Sequence, residues 1–559
     1  MGANVENEWW KELNLNYSGE NNFASFFSSE GNIHMYPAKA VPEMVSSLLK
    51  KLKEQYSISK VLDPFVGSGT VALESKYLGM DFYGSDMNPL SILLTRTKAL
   101  TVQKTAFIES TLRGFTDSIV TKYSSQTLVK LFAFENIDFW FKTNNIREIS
   151  FLKEEIDCFL RKSVGKNRET FSLILLTAFS STIRESSLTR NNEFKLYRMS
   201  PSDIKKFEID SLLVFKDKIS NLLSMLVETN KISTNETTTN IKLNNAKNLS
   251  CFINKGIDAI LTSPPYGDSQ STVAYGQFSK LSLQWSKDLL SRYLGIQTEA
   301  ENVDEYLLGG KRSTSTVSLR MILRRSETLR ELFRSMRMNC SEEINNQRKL
   351  LSSLKVLQNN ILEGTFNYKF LENNKELFEL IRERIRLDFF RIYNTSTALT
   401  NKQIKVSAEE SRDEFFNSLK RNINNKAMLR HLESKIPFVS ETIKRKIKAT
   451  PRRVRSILHF FKELYLVVEQ TDKVLSSEGV QAWIVGHRTI LGSINVDMAG
   501  ILNDWFVSMG YSKITTLHRQ YSFKRLPHHI NSTASRKNEI KTMMQEHIVV
   551  VRKIKEKLI

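Results

Sequence analysis

Residues 61–74 read Val61-Leu-Asp-Pro-Phe-Val-Gly-Ser-Gly-Thr-Val-Ala-Leu-Glu74. Val61 and Leu62 start a strand, Asp63 and Pro64 close it, and Gly67 and Gly69 open a segment with the apolar spacing of a helix. Strand, glycine loop and helix form the unit that begins a doubly wound α/β sheet and cradles a nucleotide-like cofactor, because a residue without Cβ lets the backbone come close to the ligand. Downstream, Met80-Asp-Phe-Tyr-Gly-Ser-Asp86 predicts the next strand. It ends in an acid roughly 20 residues after the glycine loop, the spacing of a ribose-hydroxyl acceptor. Asp86 is the candidate, with Met87 beside it.

The loop lacks the Gly-Lys-Ser/Thr of a phosphate loop. Asp63 repels a pyrophosphate and suits the cationic methionine end of S-adenosylmethionine. A second stretch, Asp258-Ala-Ile-Leu-Thr-Ser-Pro-Pro-Tyr-Gly-Asp268, predicts a short strand to Thr262 followed by a stiff corner. Two prolines hold φ near −65° and donate nothing, so the Ser263 and Pro264 carbonyls are free to accept. Tyr266 offers a flat face on which a base can stack, and Ser263 and Asp268 add acceptors. Alone, Ser-Pro-Pro-Tyr also reads as a plain turn after a strand.

Ser263-Pro-Pro-Tyr266 resembles the catalytic motif of the DNA amino-methyltransferases of restriction–modification and related systems, and Asp63-Pro-Phe-Val-Gly-Ser-Gly-Thr70 is similar to their cofactor motif. The resemblance implies a Rossmann-like class I methyltransferase domain. It implies S-adenosylmethionine held by Asp63, Pro64, Phe65, Gly67, Gly69, Thr70, Asp86 and Met87, and a catalytic corner of Ser263, Pro264, Pro265, Tyr266 and Asp268. Ile33-His-Met-Tyr-Pro-Ala-Lys-Ala40 resembles the segment that closes over the cofactor's methionine end, which adds Tyr36, Pro37 and Ala38. At Ile241–Leu249 the family often carries an acid that reads the adenine amino group. This chain has Asn244, Asn245 and Asn248 there, and an asparagine carbonyl can accept the same bond; Asn245 and Ala246 are the expected holders.

The family's chemistry needs the target base out of the stack. Ser263 and the Pro264 carbonyl then orient its amino group for direct transfer, with no covalent intermediate. Cytosine-C5 methylation needs a nucleophilic cysteine in a Pro-Cys pair, and Cys158, Cys251 and Cys340 follow Asp157, Ser250 and Asn339. The resemblance implies methylation of cytosine N4 in double-stranded DNA, since the family's adenine-N6 corners more usually begin with Asp or Asn than with Ser263. Adenine N6, guanine N2 of transfer RNA, and a non-enzymatic DNA-binding specificity protein remain as alternatives.

The 559 residues allow two or three domains, and 41% apolar against 25% charged residues is ordinary globular composition. Three scattered cysteines fit a reducing cytoplasm better than a disulfide framework or a zinc site, so no metal is expected. Met1–Asn16 is polar and acidic, which predicts no signal peptide, and no apolar run is long enough to span a membrane. The expected setting is a bacterial cytoplasm, near the nucleoid, with a companion restriction endonuclease or defence protein as a candidate partner. Net charge is +21, and residues 311–460 hold 32 Lys and Arg against 16 Asp and Glu, which favours a polyphosphate partner.

The expected organisation is a methyltransferase core split over residues 23–100 (cofactor half), 241–290 (catalytic motif) and 455–559 (C-terminal half). Two mainly helical insertions, 101–240 and 291–454, interrupt it, the second basic and expected to clamp DNA. In the first, Arg184-Glu-Ser-Ser-Leu-Thr-Arg190 and Phe194-Lys-Leu-Tyr-Arg198 form a basic, hydroxyl-rich and aromatic stretch, expected to face DNA phosphates and bases through Arg184 and Arg190, or else to be an exposed loop between helices. In the second, helical spacing is read over Leu319–Arg337, Leu350–Asn360, Lys375–Arg391 and Ser411–Lys435. The run Lys444-Arg-Lys-Ile-Lys-Ala-Thr-Pro-Arg-Arg-Val-Arg455 is dense enough to track a phosphate backbone, through Lys444, Arg445, Lys446, Arg452, Arg453 and Arg455. His528-His529, without other ligands, reads as surface.

Overall fold

Short segments make the first four strands: β1 (Lys60–Asp63), β2 (Asp81–Asp86), β3 (Thr239–Leu243) and β4 (Ile257–Thr262). A longer β5 (Leu475–Gly486) follows, then a hairpin of β6 (Arg488–Ile490) and β7 (Ile494–Val496), then β8 (Tyr511–Gln520) and β9 (Gln545–Lys553). Seven of them form one sheet in the order β3-β2-β1-β4-β5-β9-β8, parallel except for β9, which runs against both its neighbours. The protein is thus mixed α/β with a mainly parallel sheet, consistent with a Rossmann-like methyltransferase. This computed structural model describes residues 8–13, 15, 34–37, 40–102, 104–125, 128–190, 195–232, 237–265, 267, 274–297, 303–396, 401–486, 488–520 and 545–554.

The chain divides into two compact units, 1–330 with 457–559, and 331–456. In the first, α1 (Pro42–Tyr56) starts on a proline, where a missing N–H costs nothing, and buries Met44, Val45, Leu48, Leu49 and Leu52 on one face. Then come α2 (Thr70–Tyr77) and α3 (Pro89–Lys98), the latter capped by Asn88, whose side chain accepts from the Leu90 N–H. Between β2 and β3 run α4 (Thr105–Ser125), α5 (Thr143–Lys162), α6 (Gly165–Glu185) and α7 (Ser211–Ile232). Every residue from Phe171 to Arg184 in α6 is buried, so this helix is central, wrapped by α3, α5, α7 and α8 (Tyr275–Leu294).

These helices share one apolar core with the sheet: Leu173 and Leu175 belong to the same cluster as Val61, Ala259 and Ile548. Trp285 of α8 is fully buried, with Phe132, Phe134 and Phe141 5.3–5.8 Å from its ring.

The second unit holds most of α9 (Glu327–Leu362), then α10 (Lys375–Ser396), α11 (Asn401–Arg421) and the first part of α12 (Lys426–Val474). It has its own core, in which Leu354, Leu357, Ile381, Ile385, Phe416, Leu432 and Ile436 meet. The reading of Ser411–Lys435 as one helix is corrected: the chain turns at Asn422–Asn425, and Asn425 Oδ1 accepts from the Ala427 and Met428 N–H groups to start α12. Pro437 and Pro451 lie inside α12 without ending it. After β7, Asp497 caps α13 (Met498–Ser508) by accepting from the Gly500 N–H. Among the described residues no helix is long and apolar enough to cross a membrane.

Candidate functional site

The strand order reverses between β1 and β4, and in an open α/β sheet a ligand crevice forms beyond the C-terminal strand ends at that point. Asp63 ends β1 and Thr262 ends β4. Thr262 Oγ1 donates to Asp63 Oδ1 at 2.7 Å, and the Phe65 N–H donates to the same oxygen at 2.9 Å. One bond therefore fastens the root of the glycine loop to the root of the proline corner. Gly67 and Gly69 have φ of +50° and +82°, the left-handed region that disfavours side chains. A Cβ on Gly69 would also stand 3.0 Å from Thr95 of α3.

Asp86, at the end of β2, pins the loop from the other side. Its Oδ2 accepts from the Gly67 N–H at 3.0 Å and from Ser91 Oγ at 2.9 Å, and its Oδ1 accepts from the Asn88 N–H at 2.9 Å. A carboxylate has about four acceptor positions. Three are taken by these bonds, and the Met87 N–H adds a further one.

Around these carboxylates lies a cleft of about 820 Å3, counted out to open solvent. Its described lining contains Asp63 and Asp86 and no Lys or Arg, so the floor favours a cation and disfavours a pyrophosphate. Burial pushes the Asp63 carboxyl up to about 7, with the Asp86 charge adding to the rise. Asp86 is raised for the same first reason, against the hydrogen bonds it accepts.

Most of the residues expected at a cofactor site meet here. Tyr36, Asp63, Pro64, Phe65, Gly67, Thr70, Asp86, Met87, Asn245 and Ala246 line the cleft, and Ser263 and Pro265 reach it from the corner. Gly69 and Pro264 are not among its lining residues and are buried, as is Pro37. Tyr36 is buried with its hydroxyl accepting from Asn88 Nδ2 at 3.3 Å, and its ring is 6.0 Å from that of Tyr275. Burial and the nearby Asp86 raise the pKa of both tyrosines, which keeps them neutral. Asn245 Oδ1 accepts from the Lys247 N–H at 3.0 Å, capping a short turn, whereas Asn244 Nδ2 donates to the Asn245 and Asn248 carbonyls, both at 3.1 Å. The Asn244 carbonyl oxygen is thus the one turned away from the turn's own bonds. Ala38, Tyr266, Asp268 and His528-His529 lie outside the described residues.

Sequence reasoning missed one wall. Tyr306, Leu307 and Leu308 line the cleft, although residues 291–454 read as a basic insertion. Their only local signal was Asp304, whose carboxylate accepts from the Gly276 and Gln277 N–H groups at 2.7 and 3.0 Å and so caps α8 beside Tyr275.

The basic candidates are not together. Arg184 is corrected from a surface residue to an internal one. It is buried, its guanidinium stands 3.8 Å from the centre of the Phe278 ring and donates to the Phe278 carbonyl at 3.3 Å, and burial pulls its pKa down to about 10. There it holds α6 against α8. Arg190 is exposed. Lys444, Arg445, Arg452, Arg453 and Arg455 are exposed and Lys446 half-buried along α12 in the second unit, where 26 Lys and Arg stand against 15 Asp and Glu.

Over 290 residues the chain is 33% identical to the type II methyltransferase M.MvaI of Kocuria varians, which takes in 50% of this chain and 61% of that protein. It is 24% identical over 265 residues to the type II methyltransferase M.BsoBI of Geobacillus stearothermophilus, 40% of this chain and 47% of the relative. A shorter stretch of 67 residues, 12% of each chain, is 31% identical to the type II methyltransferase M.MjaII of Methanocaldococcus jannaschii. The chain spans less than two thirds of the length of these relatives. No protein-family model matches it, and no solved structure does.

Proposed function

We propose that the chain is an S-adenosylmethionine-dependent DNA amino-methyltransferase acting on cytosine N4. The observation that carries this reading is the Thr262–Asp63 bond at the switch point, which sets the Ser263-Pro264-Pro265 corner and the Gly67–Gly69 loop on one cleft. The relatives named type II methyltransferases support the DNA methyltransferase part of it.

The residues present fit the cofactor. Gly67 and Gly69 let the backbone approach, Asp63 and Asp86 face its cationic and hydroxyl groups, and Asn244 or Asn245 accepts from its adenine amino group. When bound, the cofactor supplies an electrophilic methyl group. The protein's own part is positional and electrostatic: Ser263 Oγ and the Pro264 carbonyl accept the hydrogens of the target amine and turn its lone pair towards the cleft. Tyr266, the next residue after the corner, supplies the stacking face for the extruded base. The basic stretch of the second unit tracks DNA phosphates.

Incubating the full chain with isotopically methyl-labelled S-adenosylmethionine and duplex DNA, then resolving the nucleosides by mass spectrometry, tests this. Label on N4-methylcytosine is expected. Label on N6-methyladenine keeps the corner and changes the base, and, in a parallel incubation with transfer RNA in place of DNA, label found in the RNA alone overturns the substrate class.

A further inference from the structure

We infer that Glu463 is a positioning residue for the cofactor, a role that rests on the function proposed above. Glu463 lies in the part of α12 that belongs to the first unit, and it is fully buried. Lys247 Nζ donates to its Oε1 at 2.6 Å, the Gly309 N–H donates to its Oε2 at 2.6 Å, and Ser313 Oγ also donates to it. Lys247 Nζ further donates to the Thr314 carbonyl at 2.8 Å.

These partners sit directly behind two walls of the cleft. Lys247 follows the cleft residues Asn245 and Ala246, and its backbone N–H donates to Asn245 Oδ1. Gly309 follows Tyr306, Leu307 and Leu308. Its φ of +74° turns the chain towards Glu463, and the turn is tight, since a Cβ on Gly310 would stand 2.4 Å from the Glu305 carbonyl oxygen. Segment 303–314 is therefore a strap held at one end by Asp304 on the start of α8 and at the other by Glu463. A carboxylate with no exposure tolerates little displacement of its donors, because a lost partner leaves a buried charge unsatisfied. Glu463 thereby fixes the distance between the asparagine wall and the 306–308 wall without touching the cofactor.

The test is calorimetric titration of the full chain with S-adenosylmethionine. Glu463→Gln is expected to weaken binding about tenfold, and Ser313→Ala, which removes one donor and no charge, about two- to threefold. Turnover at saturating cofactor stays within about twofold, because the corner is untouched. Hydrogen exchange should quicken in 244–248 and 303–314 together. A role confined to stability predicts a lower melting temperature with unchanged cofactor affinity, and that result overturns the inference. If Glu463→Gln fails to fold, Ser313→Ala decides by the same two readings. Failure of the unmodified chain to bind the cofactor overturns the proposed function as well, and the first titration tells it apart from a failure confined to the variants.

Discussion

The cleft of the first unit and the basic helices of the second carry function in opposite ways. In the cleft a few residues hold everything: one threonine bond joins two loops, and one aspartate accepts three protein donors. In the second unit charge is spread along helices whose apolar faces make an independent core. Single changes should therefore be severe in the first region and mild in the second, and each of the following experiments can break that contrast.

The largest effect is expected from Gly69→Val. A β-branched side chain at φ +82°, with Thr95 at 3.0 Å, should cost about 3 kcal/mol or more and abolish cofactor binding. An unchanged melting temperature would show that the loop can relax. Asp86→Ala comes next: losing the loop's pin should weaken S-adenosylmethionine binding by about 1–3 kcal/mol in calorimetry, with DNA affinity unmoved. Affinity equal to the unmodified chain's would remove Asp86 from the site.

Asp63 gives a pH signature. With its carboxyl pushed up to about 7, the folded chain holds a proton that the unfolded chain releases near its ordinary value of about 4. The stability this contributes is full below about 4 and is lost as pH rises towards 7. A cationic cofactor favours the ionised form, so its affinity should rise through the same window, by up to about tenfold per pH unit, and level off above 7. Asp63→Asn should flatten that profile; a slope that survives places the titrating group elsewhere.

The smallest effects belong to the second unit. Replacing Lys444, Arg445, Lys446, Arg452, Arg453 and Arg455 one at a time with Gln should change stability by no more than about 0.5 kcal/mol each. All six together should flatten the dependence of log K for DNA on log salt, by about 0.9 for each phosphate no longer neutralised. An unchanged slope moves the DNA-binding surface to other residues.

The same contrast governs what could be read from sequence. Gly67, Gly69, Asp86 and the Ser263-Pro264-Pro265 corner were legible because backbone geometry is dictated within a few residues. Glu463 was not, because its partners lie 150 to 216 residues away and a lone glutamate in a charged helix carries no local sign of burial. Arg184 misled for a related reason: a basic residue between hydroxyls looks exposed until Phe278 of another helix is laid over it.

Ser263 offers the most direct test of the proposed chemistry. Under single-turnover conditions with saturating S-adenosylmethionine and duplex DNA, Ser263→Ala should lower methyl transfer by about one to two orders of magnitude, because an acceptor aligned in the transition state is lost. Cofactor affinity and melting temperature should hold. A lower melting temperature with intact transfer per folded molecule would make the corner a structural turn and contradict its catalytic role.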